Sequence, residues 1–298
     1  MRKLTKNQGN IILLAITVVW GSGFVITKLV LSAGIPAGLL TAFRGAGLML
    51  LSFLFFHKKI IKSKKKDVLV GLVAGITNAI AFIFQTVGLV FTTPTISGFL
   101  TIMHILFVPV IAMIFYRKKL APQMYPAIII AFIGTLVITN VSFSSFRMGI
   151  GEWLSLAGAL SFAISIAFIG NSAVDTPPEV IGFWMGVCQF AVSFAYFLIA
   201  DKGVVGEVDW RIVILPILYL SLIGTFAATN GQVLAQKSVD ETTAAIIMSM
   251  EAVFGAVISL IFGYDVFSVR LLAGGLLIFA GVLVAIVNFR KLFKIKLK

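Results

Sequence analysis

The stretch VDETTAAIIMSMEAVFGAVISLIF, Val239 to Phe262, decides the fold, because its pattern occurs earlier in the chain as TTPTISGFLTIMHILFVPVIAMIF, Thr92 to Phe115. The two align at one constant offset, which continues without a gap into FAGVLV and FIGTLV. Identical pairs include Thr95 with Thr242, Phe107 with Phe254 and Gly134 with Gly281. At the same offset Gln85 falls on Gln232. At a slightly smaller one Gly9 falls on Gly151 and Pro36 on Pro178. Such self-similarity marks an internal repeat.

Of 298 residues, 60% are hydrophobic and 12% charged, and the mean hydropathy is +1.10. A soluble core cannot absorb so much apolar surface. Apolar runs of about 20 residues, the length a helix needs to cross a hydrocarbon layer about 30 Å thick, lie near residues 10–31, 36–57, 68–91, 94–116, 122–141, 150–170, 179–200, 211–235, 240–263 and 267–289. The fold class is therefore an all-α polytopic membrane protein with ten transmembrane helices. The repeat divides it into residues 1–141, carrying helices one to five, and 142–298, carrying helices six to ten. Five is odd, so the second half enters the membrane from the opposite side and the repeats are inverted, an arrangement that underlies alternating access.

The formal charge of +13 would suggest nucleic acid in a soluble protein, but its placement points elsewhere. With the N-terminus inside, one side collects Arg2, Lys3, Lys6, the loop HKKIIKSKKK, YRKKL, Lys237 and the tail FRKLFKIKLK. The other side holds Arg147, Lys202, Arg211, Arg270 and little else. This positive-inside asymmetry predicts a multi-pass protein of the cytoplasmic membrane with both termini in the cytoplasm. The basic runs are read as contacts to anionic headgroups. The single Cys188 cannot form an internal disulfide and is read as packing. Trp153 and Trp210, near span ends, are read as interface anchors.

The sequence resembles the drug/metabolite transporter superfamily, in its EamA-like ten-helix branch. The likeness covers nearly the whole chain and is carried by WGSGFVITK in helix one, AFRGAGLMLL in helix two and MEAVFGAVISLIFGYDVFSVRLLAGGLLIFAGVLV in helices nine and ten. The chain departs from that pattern in two places. The family usually has Glu-Pro where Glu251-Ala252 stands, and Gly-Glu after helices four and nine, where this chain has Arg117-Lys118 and Tyr264-Asp265. The resemblance implies a basket of helices around a central cavity, with helices five and ten peripheral, exporting small organic metabolites.

Ionisable residues within spans need a partner or water, and they are Lys28, Arg44, His104 and Glu251. Lys28, near the end of helix one, can snorkel to the headgroups. Arg44 lies roughly 12 Å into helix two. It either ties helices together or binds a substrate carboxylate. Glu251 lies roughly 16 Å into helix nine, near the middle of the bilayer, on a strip with Ala244, Met248, Gly255 and Ser259. It is the repeat mate of His104, which shares a face with Thr93, Ser97 and Thr101. His104 is read either as a packed core residue or as lining the cavity. Helices three and eight carry Asn78, Phe82 and Gln85 and their mates Thr225, Thr229 and Gln232. The candidate substrate-binding residues are Trp20, Arg44, Asn78, Gln85, Thr101, His104, Trp184, Gln232 and Glu251, with Glu251 and His104 as proton-coupling candidates. Amides, hydroxyls, a cation and a carboxylate between aromatic walls suit a small zwitterion such as an amino acid.

The expected function is a secondary transporter that exports such a metabolite. Two other readings are a flippase for a lipid-linked intermediate, and an intramembrane enzyme using His104 and Glu251 as acid and base. The enzyme is disfavoured because the chain has no third catalytic partner at helical spacing, no HExxH and no phosphate loop. No catalytic residue, metal or cofactor is expected. The expected partners are a small-molecule substrate and the lipid bilayer, with a homodimer left open and no nucleic acid.

Overall fold

The computed structural model describes residues 5–139, 148–172, 176–236, 238–239 and 241–286. Of the basic residues named above, Arg2, Lys3, Arg147, Lys237 and those of the tail lie outside the described residues.

Helix one runs over Lys6–Ser32, helix two over Ala37–Ile61 and helix three over Lys65–Phe91. Helix four is split into Pro94–Thr101 and His104–Tyr116, and helix five spans Met124–Ile138. Helix six is Ile150–Ser172 and helix seven Pro178–Ile199. Helix eight comprises Trp210–Leu218, a π-helical segment Tyr219–Ala227 and Ala228–Gln236. Helices nine and ten are Glu241–Ile261 and Val269–Ile286. Every apolar run read from the sequence is thus a helix. Seven are long enough to span a membrane by length and composition, and the described apolar parts of helices five, nine and ten are shorter.

Local chemistry sets the boundaries. Thr5 caps helix one by accepting from the Gln8 amide, while the Gln8 side chain answers the Thr5 amide, a reciprocal capping box. Gly34, at φ 92°, turns the chain between helices one and two in a region that costs a side-chain-bearing residue about 1 to 2 kcal/mol. Pro94 and Pro178 start their helices, where a missing N–H is not needed.

Two spans depart from regular helix, and each contains a proline: Pro109 in helix four and Pro216 in helix eight. Around Ile102 and Met103 the hydrogen bonds tighten to three-residue steps, Met103 N to Leu100 O at 3.2 Å and Leu106 N to Met103 O at 3.0 Å. In helix eight the turn widens instead, and the Thr225 hydroxyl reaches Leu220 O, five residues back, at 2.8 Å. Helix nine runs unbroken through Glu251-Ala252, as expected once the family's proline is absent.

The principal interfaces join the two halves: helix two with seven, three with six and seven, one with nine, and five with ten. Lipid provides no hydrophobic force between helices, so close approach through small residues takes its place. A Cβ on Gly21 would stand 2.7 Å from Glu251 O and 2.8 Å from Gly255 N, so helices one and nine touch backbone to backbone. Helices five and ten meet in the same way, with Gly134 against the Ile278 amide and Gly281 against Ala127 O. These two helices pack mainly on each other, beside the remaining eight.

Candidate functional site

The other eight helices supply most of the wall of a cavity of about 1040 Å³. Trp20, Arg44, Asn78, Gln85, Thr101, His104, Gln232 and Glu251 all line it. Gly134 and Gly281 do not.

Trp184 departs from expectation. It stands against Gly71 of helix three, where a Cβ would come within 2.6 Å of its own, and its ring meets Phe183 edge-on at 5.3 Å. The missing side chain at Gly71 leaves a socket that the Trp184 side chain fills, so Trp184 packs helix seven on helix three and lies outside the cavity lining.

Of the two readings of Arg44, the tie between helices is seen directly. Its Nε donates to Thr225 Oγ1 at 3.1 Å, tying helix two to the π segment of helix eight. Its guanidinium carbon lies 4.6 Å from the centre of the Phe82 ring, a cation–π contact. The terminal nitrogens find no acceptor among the described residues, so the planar fork that suits a carboxylate stays available in the cavity. The Thr225 hydroxyl proton is committed to Leu220 O, which leaves a lone pair for Nε and fixes the fork's direction.

Glu251 lines the same cavity without a hydrogen-bond or ion-pair partner among the described residues. Arg44 is the cation whose field reaches it, yet no direct salt bridge joins them. His104, in the tightened turn of helix four, has Nδ1 2.8 Å from Thr101 O. A carbonyl only accepts, so Nδ1 carries the proton and the neutral ring keeps Nε2 as an acceptor. Trp20 Nε1 donates to Gly224 O at 3.0 Å, a carbonyl within the π segment. Side chains of the cavity thus take up backbone groups that the two irregular spans release.

The repeat extends to individual contacts. Gln85 Nε2 donates to Thr101 Oγ1 at 3.1 Å, and its mate Gln232 Nε2 approaches Met248 Sδ at 3.6 Å. Met248 is the mate of Thr101, so the same amide-to-helix tie is made twice, once to a hydroxyl and once to a thioether.

Gln189 escaped the sequence reading. It is fully buried, lines the cavity, and donates weakly to Thr41 O at 3.4 Å, while its Oε1 has no partner. Its signal was legible: Gln189 and Ser193 are four residues apart on an otherwise apolar helix.

The cavity reaches Lys118, Lys119, Pro178 and Val239, all at one end of the bundle. No residue of the 33–36, 200–209 or 263–268 connections, at the other end, lines it. At that closed end Lys28 turns inward rather than snorkelling. Its Nζ donates to Leu89 O at 2.5 Å, Val90 O at 3.1 Å and Thr92 O at 3.0 Å. Nearby, Asp201 accepts from the Gly38 amide at 2.8 Å. Burial pushes its carboxyl above the usual range, and the amide opposes that shift.

The EamA-like transporter family matches residues 7–140 and, a second time, residues 149–287. An uncharacterized transporter of Archaeoglobus fulgidus is 29% identical over 245 residues, which are 82% of this chain and 74% of that protein. The uncharacterized transporter YvbV of Bacillus subtilis is 25% identical over 207 residues, 67% of this chain and 65% of that protein. A solved crystal structure at 17% identity superposes with a TM-score of 0.62, covering 93% of this chain and 98% of its own, a likeness of fold.

Proposed function

We propose, since the chain belongs to the EamA-like transporter family, that it is a secondary transporter of the cytoplasmic membrane, exporting small organic metabolites such as amino acids by alternating access. The observation that carries this reading is the central cavity, open at one end and closed at the other, in which the terminal nitrogens of Arg44 and the Glu251 carboxyl have no hydrogen-bond partner among the described residues. A carboxylate on Arg44 and an ammonium group at Glu251 would satisfy both charges, with Trp20, Phe82 and Phe162 offering apolar contact. Glu251 and His104 carry the coupled proton, and the two five-helix halves are the units that rock.

Proteoliposomes loaded with one labelled metabolite at a time test this. Zwitterionic amino acids should exchange at rates well above those of protein-free vesicles. If no amino acid exchanges, and lipid is scrambled instead, the carrier reading fails.

Orientation enters the proposal through the placement of Lys and Arg. Both termini and the Lys58 to Lys66 loop are cytoplasmic in this reading, so the cavity as described opens inward. On a Cys188→Ser background, Ser63→Cys should resist an impermeant thiol reagent in intact cells. Ser144→Cys, in the opposite loop and outside the described residues, should react. Ready labelling at position 63 would invert the assignment.

A further inference from the structure

We propose that Lys28 is the outer gate of the carrier: it forms the partition between the central cavity and a second chamber at the closed end, and its withdrawal opens the exit. The inference rests on the alternating-access reading and adds to it the place where the path is shut.

The second chamber has a volume of about 550 Å³ and is lined by Lys28, Ser32, Pro36, Phe91, Tyr196 and Asp201. The central cavity extends as far as Thr27 and Leu89. Thr27 and Lys28 are sequence neighbours facing different chambers, and so are Leu89 and Val90. Helices one and three thus each present adjoining faces to the two chambers, and the Lys28 bonds bridge the seam between these helices where the chambers meet. A lysine has three protons to donate, and all three are used, on the carbonyls of Leu89, Val90 and Thr92. These sit at the C-terminus of helix three, where carbonyls lack intrahelical donors and the helix dipole favours a cation. The lock is strong because both sides need it.

It also joins the halves. Thr92 Oγ1 donates to Glu152 Oε1 on helix six at 2.7 Å. Asp265, between helices nine and ten, accepts from Thr95 N at 3.1 Å and from Ser259 Oγ at 2.5 Å, and its charge acts on Lys28. Lys28 thereby sits at the centre of a polar network running from helix one through the ends of helices three and four to helices six and nine. By the repeat offsets, the mates of Lys28, Thr92 and Asp265 are Gly170, Val239 and Lys118, a set that cannot rebuild the network at the opposite end. That end is the open one.

The test is side-specific labelling in sealed vesicles of known orientation, on the Cys188→Ser background. Gln85→Cys reports the central cavity and Ser32→Cys the outer chamber. From the face bearing residues 33–36, Ser32→Cys should react readily, and Gln85→Cys should be protected while Lys28 is present. Lys28→Met should raise the Gln85→Cys rate from that face by about tenfold or more, as a shifted two-state population requires, and Lys28→Arg should restore protection. Equal rates with lysine and methionine at position 28, with Ser32→Cys still reacting, would overturn the gate. Should Lys28→Met fail to run as a monodisperse species, Lys28→Gln, which also removes the ammonium group, carries the same comparison, with the same two outcomes. From the face bearing Lys118, Gln85→Cys should react in all backgrounds. Failure of that control would overturn the open central cavity, and so the carrier reading itself, independently of the gate.

Discussion

Glu251→Gln should abolish transport driven by a pH gradient while leaving a folded protein, with exchange at equal pH retained if the group carries only protons and weakened if it also pairs with the substrate's ammonium. The amide keeps the size and hydrogen-bonding capacity of the carboxyl and removes its titration. Titration matters here because Glu251 lines the cavity and Arg44 supplies a charge within its reach. In the proposed cycle, rocking of the halves would change both its access to water and its distance from Arg44 and His104, and with them its proton affinity in the two open states. A difference of one pKa unit is about 1.4 kcal/mol, enough to move a two-state equilibrium tenfold. His104, on the mate position, is the natural relay, since its Nε2 is left as an acceptor by the bond from Nδ1 to Thr101 O. The measurement is uptake into proteoliposomes with and without an imposed pH gradient. Normal gradient-driven uptake by the Gln variant would make the carboxylate a structural group and end the mechanism.

Gly21→Val should be as severe for the fold as Glu251→Gln is for coupling. Any Cβ at position 21 meets Glu251 O at 2.7 Å and Gly255 N at 2.8 Å. Both are backbone atoms of a continuous helix that cannot rotate away. Helix one must then shift off helix nine, and forced overpacking of this kind costs about 1 to 3 kcal/mol, at the upper end here because both clashing atoms are backbone. Detergent-solubilised Gly21→Val should melt well below the parent or fail to elute as a single species. Gly23 provides the control on the same helix. A Cβ there meets only Leu220 Cδ2, at 3.8 Å, and Gly23→Ala should be neutral or stabilising by up to about 1 kcal/mol through helix propensity. Similar melting of the two variants would show that the helix one to nine contact is not tight.

The spans, the repeat and the Glu251 face could be read from the sequence because each rests on periodicity and offset, which a single chain displays directly. The correspondence of Gln85 with Gln232 and of Thr101 with Met248 follows from the same arithmetic, but the contacts Gln85 makes to Thr101 and Gln232 to Met248 do not. What could not be read depends on which helices meet. Trp184 was assigned by its residue type, but the absence of a side chain at Gly71, on a helix 113 positions away by numbering, decides where the ring goes. Lys28 was placed by its nearness to a helix end. The unsatisfied carbonyls of helix three, which draw it inward, become its neighbours only once helices one and three pack. Gln189 goes unflagged because, unlike Gln85 and Gln232, it has no polar mate at the repeat offset, where Gly47 stands.

The lysines at the cavity mouth have a kinetic meaning separate from anything bound deeper in. Lys118 and Lys119 stand at the entrance and Arg44 lies further in, with low-dielectric walls between them. Such an arrangement focuses field lines and concentrates anions before any contact forms. At an ionic strength of about 0.15 M the field extends only about 8 Å into solution, so it acts on solutes already at the entrance rather than on the bulk. Cations are repelled at the threshold, and solutes presenting a carboxylate arrive oriented with that group leading. For the proposed carrier, part of the discrimination among metabolites would thus be exercised as an encounter rate, which rises as salt is lowered and falls as it is added, while the affinity of the inner residues stays the same.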